Sequence, residues 1–270
     1  MLTFNTILAT ENIDPKKVRL VRHKDNRTSA KVTPYNLWLS DPAGLEKYQQ
    51  IQKRKVFKVG DFLASFVVTP NGETLFVGLY RVNDIGVAPP GTIDPVLQAD
   101  RAGLHLYDIT PEKMLADYAG HLTVEWGGGH RAAWVQLAHR RDKHILEIRK
   151  ERREDPFPGF GRFCWDIDSI AAIPATWQSV LKSVKGVYLL VCKETGKQYV
   201  GSAKGEDNLW SRFLDYRSTG HGGNVELKAR GRKPYQVTVL EIVNADEGIE
   251  KAESAWKTRL MSRKFGLNRN

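Results

Sequence analysis

Cysteine is scarce: 270 residues contain only Cys164 and Cys192. Neither stands in a Cys-x-x-Cys pair or a Cys/His cluster, which argues against a disulfide framework and a structural zinc site. Long apolar runs are missing as well. Nothing approaches the roughly 18 consecutive apolar residues a spanning helix requires. Residues 1–14 lack the basic, apolar and small-residue order of a secretory leader. Internal repeats and low-complexity runs are absent too. Together these gaps predict a soluble, cytoplasmic chain with reduced thiols and no membrane partner.

What is present is a globular composition with a basic excess. A hydrophobic fraction of 41% is enough to build a real core at this length. The formal charge of +10 favours a polyanionic partner, because each Lys or Arg that meets a phosphate releases a counterion. The excess is uneven. Residues 176–270 carry 17 Lys and Arg against 10 Asp and Glu, so the shorter C-terminal part holds +7 of the total.

The best boundary lies within residues 155–177. A charged stretch precedes it, and Pro156-Phe157-Pro158-Gly159 cannot continue a helix or a central strand. The expected division is a mostly-β DNA-recognition domain over 1–170 and an α/β domain over 176–270. In the second part, 186–192 and 198–202 read as a hairpin around Glu194-Thr195-Gly196-Lys197. Residues 208–216 read as an amphipathic helix capped by Asp207 or Asn208. Residues 235–243 read as a β-branched strand, and 246–262 as a second helix. The order is β-β-α-β-α.

Two tyrosines on neighbouring strands each stand in a glycine-bounded triplet, Gly186-Val187-Tyr188 and Tyr199-Val200-Gly201. Taken alone, tyrosines in strands are ordinary half-buried core residues. Their order relative to Arg212 in the first helix, Glu253 in the second and Asn268 in Gly266-Leu267-Asn268 resembles the GIY-YIG nuclease superfamily. The resemblance covers about a third of the chain. It implies a restriction-type DNA endonuclease with Tyr188, Tyr199, Arg212, Glu253 and Asn268 at its site, acting on double-stranded DNA. The chemistry it implies uses one Mg²⁺ or Mn²⁺. A repair or mobile-element nuclease, or a DNA-binding protein with an inactive nuclease fold, is the alternative.

Glu247, Glu250 and Glu253 share the last helix. Glu253 is preferred as the metal ligand, because it borders the apolar stripe at Ala252 and its carboxylate should point inward. Arg212 offers a permanently charged planar fork for phosphate. The resemblance gives Tyr188 the task of orienting or deprotonating the attacking water. A free tyrosine titrates near pH ~10, so a basic Tyr188 needs a lowered pKa or a helper. His221 is the candidate helper, in the glycine-rich loop Thr219-Gly220-His221-Gly222-Gly223, although it lies further from Arg212 than the histidine of some restriction-type members. Lys228, Arg230, Arg232 and Lys233 read as phosphate contacts. One site hydrolyses one strand per event, which predicts a homodimer on DNA for a double-strand break.

The N-terminal part reads as strands: 62–68 and 74–82 around Pro70-Asn71-Gly72-Glu73, then 103–109, 122–126, 133–138 and 144–148. A short helix is expected over 111–119. The architecture is barrel-like, with a PUA-like resemblance of shape and composition only. Trp38, and Trp126 followed by Gly127-Gly128-Gly129-His130-Arg131, are the candidates for reading DNA, a modified or flipped base included.

Overall fold

The computed structural model describes residues 2–24, 30, 32–128, 133–152, 154–244 and 246–269. Its contacts divide the chain into two units, Met1–Asp155 and Pro156–Asn270.

The N-terminal unit runs α1 (Phe4–Thr10), β1 (Val18–His23), α2 (Pro34–Ser40), α3 (Pro42–Gln50), β2 (Ile51–Gln52), β3 (Phe62–Val68) and β4 (Thr74–Val87). It continues through β5 (Ile93–Asp94), β6 (Ala99–Asp100), β7 (His105–Pro111), β8 (Leu122–Val124), β9 (Val135–Leu137) and β10 (Ile145–Ile148). The main sheet is ordered β10-β8-β4-β3-β1-β9, with β7 also on β4 and β2 on β7. β1 and β3 are parallel; the other pairs are antiparallel. Residues 74 and 75 of β4 pair with β8, and residues 80–87 pair with β7 along the same edge. One long strand therefore carries two partners in succession, and the sheet curls into a half-barrel.

Alternation along β3 and β4 builds two cores. Phe66 and Phe76 meet Phe4 of α1 at centroid distances of 5.3 and 5.4 Å, while Val67, Leu75 and Val77 turn to the other face and pack with Tyr35, Trp38 and Leu45 of α2 and α3. The hairpin at Pro70–Glu73 forms where its turn residues predict it, with Gly72 at φ 88°.

Two local expectations fail here. Pro111 closes β7 opposite Tyr80, and of the helix expected over 111–119 only a 3-10 turn, Ala116–Tyr118, is present. Sheet pairing captures the first residues, and Leu115 in the left-handed region (φ 64°) interrupts the rest. Helices α2 and α3 stand where periodicity predicts no element, although their starts are legible. Thr33 and Asp41 each cap through a side-chain oxygen, and Pro34 and Pro42 stand at the first helical position.

The C-terminal unit runs β11 (Cys164–Asp166), α4 (Ala175–Lys182), β12 (Lys185–Cys192), β13 (Gln198–Ala203), α5 (Asn208–Thr219), α6 (Val225–Ala229), β14 (Tyr235–Val243) and α7 (Asp246–Arg259). Its antiparallel sheet is ordered β11-β14-β12-β13. The expected β-β-α-β-α order is present, extended by β11, α4 and α6. Residues 156–170, which composition assigns to the first part, pack here. Phe157 lies 5.8 Å from Trp177 and Phe163 stacks on Phe213 at 6.3 Å. The expected cap of α5 is different as well. Asp207 and Asn208 both have positive φ, and the Asn208 amide donates to the Lys182 carbonyl (2.7 Å).

Period-2 alternation in β12 serves two helical layers. Tyr188, Leu190 and Cys192 face α4 and α5, with Trp177, Leu181, Leu209 and Phe213. Val187, Leu189 and Val191 face α7, with Ile249, Ala252 and Trp256.

His23, at the end of β1, is buried beside the Tyr48 ring and bonds Gln49 through Nε2 (3.2 Å). Burial depresses its pKa to about 4, the Gln49 bond opposing. A histidine held neutral stabilises the fold above its unfolded pKa near ~6.5, and that contribution is lost as pH falls toward the folded value. Thermal melts from pH 7 to 4 should therefore show the N-terminal unit losing on the order of 3 kcal/mol from this residue. His23→Gln should flatten that part of the profile; an unchanged slope would show that His23 is protonated in the folded chain.

Candidate active site

The site begins with two close approaches that only glycine permits. Tyr188 pairs with Gly201 across β12 and β13, and its ring lies over that residue. A Cβ on Gly201 would stand 2.5 Å from the Tyr188 hydroxyl. A Cβ on Gly186 would stand 2.4 Å from the Glu241 carbonyl oxygen, beside the irregular register between β12 and β14. Both triplet glycines are thus packing requirements.

Over Gly201 three side chains converge. Arg212 Nε donates to Tyr188 Oη (2.9 Å), Nη2 donates to Tyr216 Oη (3.3 Å), and Nη1 donates to the Gly222 carbonyl (2.7 Å). The two hydroxyls bond each other at 2.9 Å. The guanidinium carbon is 5.0 Å from the centroid of the Tyr216 ring, a cation–π distance. Tyr199 packs beside them, its ring 6.4 Å from that of Tyr216. Tyr216 is an addition to the expected set; its signal is the i,i+4 spacing from Arg212 on α5, which puts both on one helix face.

Electrostatics follow from burial. Tyr188 and Tyr216 are pushed above the ordinary tyrosine range chiefly by loss of solvent. Burial works against the Arg212 charge, but the Tyr188 and Tyr216 oxygens outweigh it and raise its pKa. Neutral phenols thus surround a fixed cation. A Tyr188 with its pKa lowered by Arg212, as a base would require, is not what this geometry produces. Among the described residues, Arg212 has no carboxylate partner, so its charge is met by dipoles alone.

The loop after α5 supplies the Gly222 carbonyl. Thr219 Oγ1 accepts from the N–H groups of His221 (3.2 Å) and Gly222 (2.7 Å). Gly220, Gly222 and Gly223 all have positive φ. His221 Nδ1 accepts from the Gly223 N–H (2.9 Å), which leaves the proton of the neutral ring on Nε2. Its imidazole makes no hydrogen bond to Tyr188, Tyr216 or Arg212; its link to them runs through the backbone of Gly222.

Glu253 comes from α7, on the opposite face of the sheet. It accepts a short hydrogen bond from Ser202 Oγ and pairs with Lys257 Nζ at 2.8 Å. Its side chain is 18% exposed. Glu250 is 76% exposed and pairs with Lys204, and the side chain of Glu247 lies outside the described residues. The inward carboxylate is Glu253. Gly201 and Ser202 are consecutive on β13, the last strand of the sheet, so the tyrosine–arginine group and Glu253 are one residue apart on an edge, approached from either face. Neither Ser202 nor Lys257 stands out in the sequence. The second has an i,i+4 spacing from Glu253, a pattern that ordinarily marks only a solvated pair.

No group of three or more His, Cys, Asp or Glu residues gathers as a metal cage among the described residues. A single carboxylate nevertheless fits Mg²⁺, which retains several waters and shares phosphate oxygens. Among the described residues each Glu253 oxygen has one partner, which leaves capacity for a metal ion.

Asn268 is buried, and both ends of its amide are engaged by Val200. Oδ1 accepts from the Val200 N–H (2.9 Å) and Nδ2 donates to the Val200 carbonyl (2.8 Å). The side chain closes the free edge of β13 as a neighbouring strand would, a positioning task in place of a chemical one.

The expected nucleic-acid contacts are dispersed. Lys228 is exposed; Arg230 pairs with Glu226 (2.7 Å), Arg232 with Asp168 (3.1 Å) and Lys233 with Glu194 (2.8 Å). Such exposed pairs are weak in water and exchange readily for phosphate. For the two tryptophans the structure corrects the expectation. Trp38 is buried in α2 with Arg152 at 3.9 Å over its ring. Trp126 is buried against Phe66 with Lys143 at 4.7 Å over its ring. Neither offers an open face to a base, because both complete the cores under the curled sheet. His130 and Arg131 lie outside the described residues.

The convergence of two glycine-bounded tyrosine strands, a half-buried arginine and an inward glutamate has a counterpart among known families. Residues 184–268 match the family model of the GIY-YIG catalytic domain. The match spans Tyr188, Tyr199, Arg212, Glu253 and Asn268. No curated protein and no solved structure matches the chain. A GIY-YIG domain implies a nuclease-type, DNA-cleaving function.

Gly201→Ala should displace the Tyr188 hydroxyl and break its bond to Arg212. DNA cleavage is expected to fall by at least about tenfold, the effect of a misplaced catalytic group, with the chain still folded by circular dichroism. Wild-type cleavage would show that the close approach is dispensable.

Proposed function

We propose that this protein is a divalent-metal-dependent endodeoxyribonuclease of restriction type. On this reading the C-terminal unit cuts and the N-terminal unit selects the DNA. The observation that carries the reading is Arg212: a permanent cation, fixed by three acceptors, with no carboxylate to neutralise it among the described residues. A phosphodiester supplies the missing anion, and a planar guanidinium meets phosphate oxygens in a fork.

Glu253 would hold Mg²⁺ or Mn²⁺. The ion, when bound, supplies Lewis-acid stabilisation of the scissile phosphate and of the leaving 3′-oxygen. Ser202 and Lys257 keep the carboxylate oriented. Tyr188, neutral and hydrogen-bonded, would orient the attacking water; His221, whose Nδ1 is held by the Gly223 N–H, would act through the loop that presents the Gly222 carbonyl to Arg212. Tyr199 completes the wall of the site. Lys228, Arg230, Arg232 and Lys233 would contact phosphates, and selection of a modified base is a property that parallel assays on modified and unmodified DNA decide.

Glu253→Ala should abolish metal-dependent cleavage while leaving DNA binding largely intact, whereas Glu250→Ala should remain active. The reverse pattern would transfer the metal to the exposed glutamate. Arg212→Lys keeps the charge but not the fork. A loss of about 10²-fold or more is expected, and near-normal cleavage of plasmid DNA would make Arg212 structural.

Each chain carries one Arg212 and one Glu253 and so cuts one strand per event; a double-strand break in one encounter would take two copies, most simply a C2 pair formed on the substrate. Wild-type protein mixed with excess Glu253→Ala protein should yield nicked circles. Linear product in strict proportion to the wild-type fraction would mean that single chains cut both strands.

A further inference from the structure

The N-terminal unit contains a cavity of about 830 Å³, inside the ~300–1,000 Å³ span of small-molecule sites. Its lining includes Arg22 and Lys24 at the end of β1, Lys53 and Arg54 just after β2, and the rings of Tyr48 and Trp134. Asp94 is the one acid among its lining residues. That carboxylate is already committed, paired with Arg101 at 3.2 Å and accepting the N–H groups of Val96 and Leu97.

The remaining cations of the lining, Arg22, Lys24, Lys53 and Arg54, have no carboxylate partner among the described residues. Arg22 is the most constrained: its Nε is buried and has no hydrogen-bond acceptor. A partly buried guanidinium facing a cavity without an acceptor is costly unless a ligand provides one. Beside it Trp134 is 44% exposed, a large ring left partly open where most tryptophans are covered.

Cations specify an anion, and exposed rings specify a flat π-system. The ligand class that joins the two is a nucleoside phosphate, its base stacked on an aromatic ring and its phosphate held by a guanidinium. We propose that this cavity binds a deoxynucleoside phosphate, with the base against Trp134 and the phosphate at Arg22. A base inside a duplex is covered on both faces, so a DNA nucleotide taken here has left the stack. The inference rests on the nuclease reading only for the source of the ligand, because a free deoxynucleotide has the same chemistry.

The test uses the full chain in chelator at fixed ionic strength, since phosphate contacts are salt-dependent. Anisotropy of a short labelled DNA duplex and calorimetry with deoxyadenosine monophosphate are measured side by side. Trp134→Ala and Arg22→Gln should each weaken binding by about tenfold, the loss of one base stack or one phosphate cation. Arg54→Gln changes an exposed residue and keeps the test decisive if the Arg22 variant misfolds; it should weaken binding by several-fold. Loss confined to the duplex assigns the source to DNA, and loss confined to the mononucleotide assigns it to the free ligand. The proposal is overturned if the wild-type chain binds neither, or if Trp134→Ala and Arg54→Gln bind both as the wild type does. Plasmid cleavage with Mg²⁺ is scored separately, so an inactive nuclease with an intact cavity and an active nuclease without one give different results.

Discussion

The C-terminal unit is organised around keeping one half-buried guanidinium charged. Arg212 could not sit between Tyr188 and Tyr216 unless its N–H groups were met, and each of its three nitrogens has an acceptor. Those acceptors are dipoles. Two phenols and a peptide carbonyl satisfy hydrogen bonds without cancelling charge, whereas a carboxylate would satisfy and neutralise together. The rest of the unit supplies those dipoles. β12 brings Tyr188, α5 brings Tyr216 one turn on, and the glycine-rich loop folds back to deliver the Gly222 oxygen. The acceptors hold the guanidinium in one orientation and leave its charge intact.

The edge strand β13 then decides what can meet what. Gly201 and Ser202 are neighbours in sequence but point to opposite faces, and each face recruits a different helix. Through Gly201 the strand yields to the Tyr188 hydroxyl, and through Ser202 it grips Glu253. Bringing a cation and a carboxylate close without letting them pair is difficult on a single surface, because they collapse into a salt bridge. Placing the strand between them keeps both available, and Lys257 balances the carboxylate on its own side.

Much of this is legible in the amino-acid order alone. Strands β3, β4, β12 and β14 follow their β-branched alternation closely, and the ordered set of Tyr188, Tyr199, Arg212, Glu253 and Asn268 falls inside one matched domain. What escapes has physical causes. Helices α2 and α3 are short and weakly periodic, so only their caps announce them. Tyr216 and Lys257 look like ordinary helix residues until the fold shows what lies opposite. Trp38 and Trp126 have proline and glycine neighbours that suggest loops, yet large rings under a curled sheet are drawn into its cores. Asn268 keeps company with the chemistry in sequence; only the backbone groups of Val200 reveal that its amide substitutes for a missing strand.

That substitution separates two residues of one closed edge by 68 positions. At a translation speed of about 5–20 residues per second, roughly 3–14 s pass between the making of Val200 and of Asn268. Throughout that interval a nascent chain possesses Tyr188, Tyr199 and, soon after, Arg212, yet its outermost strand has bare backbone groups and no lock. The lock on the β13 edge is thus made 68 residues after the strand it holds, and that side of the strand keeps open backbone groups until Asn268 arrives.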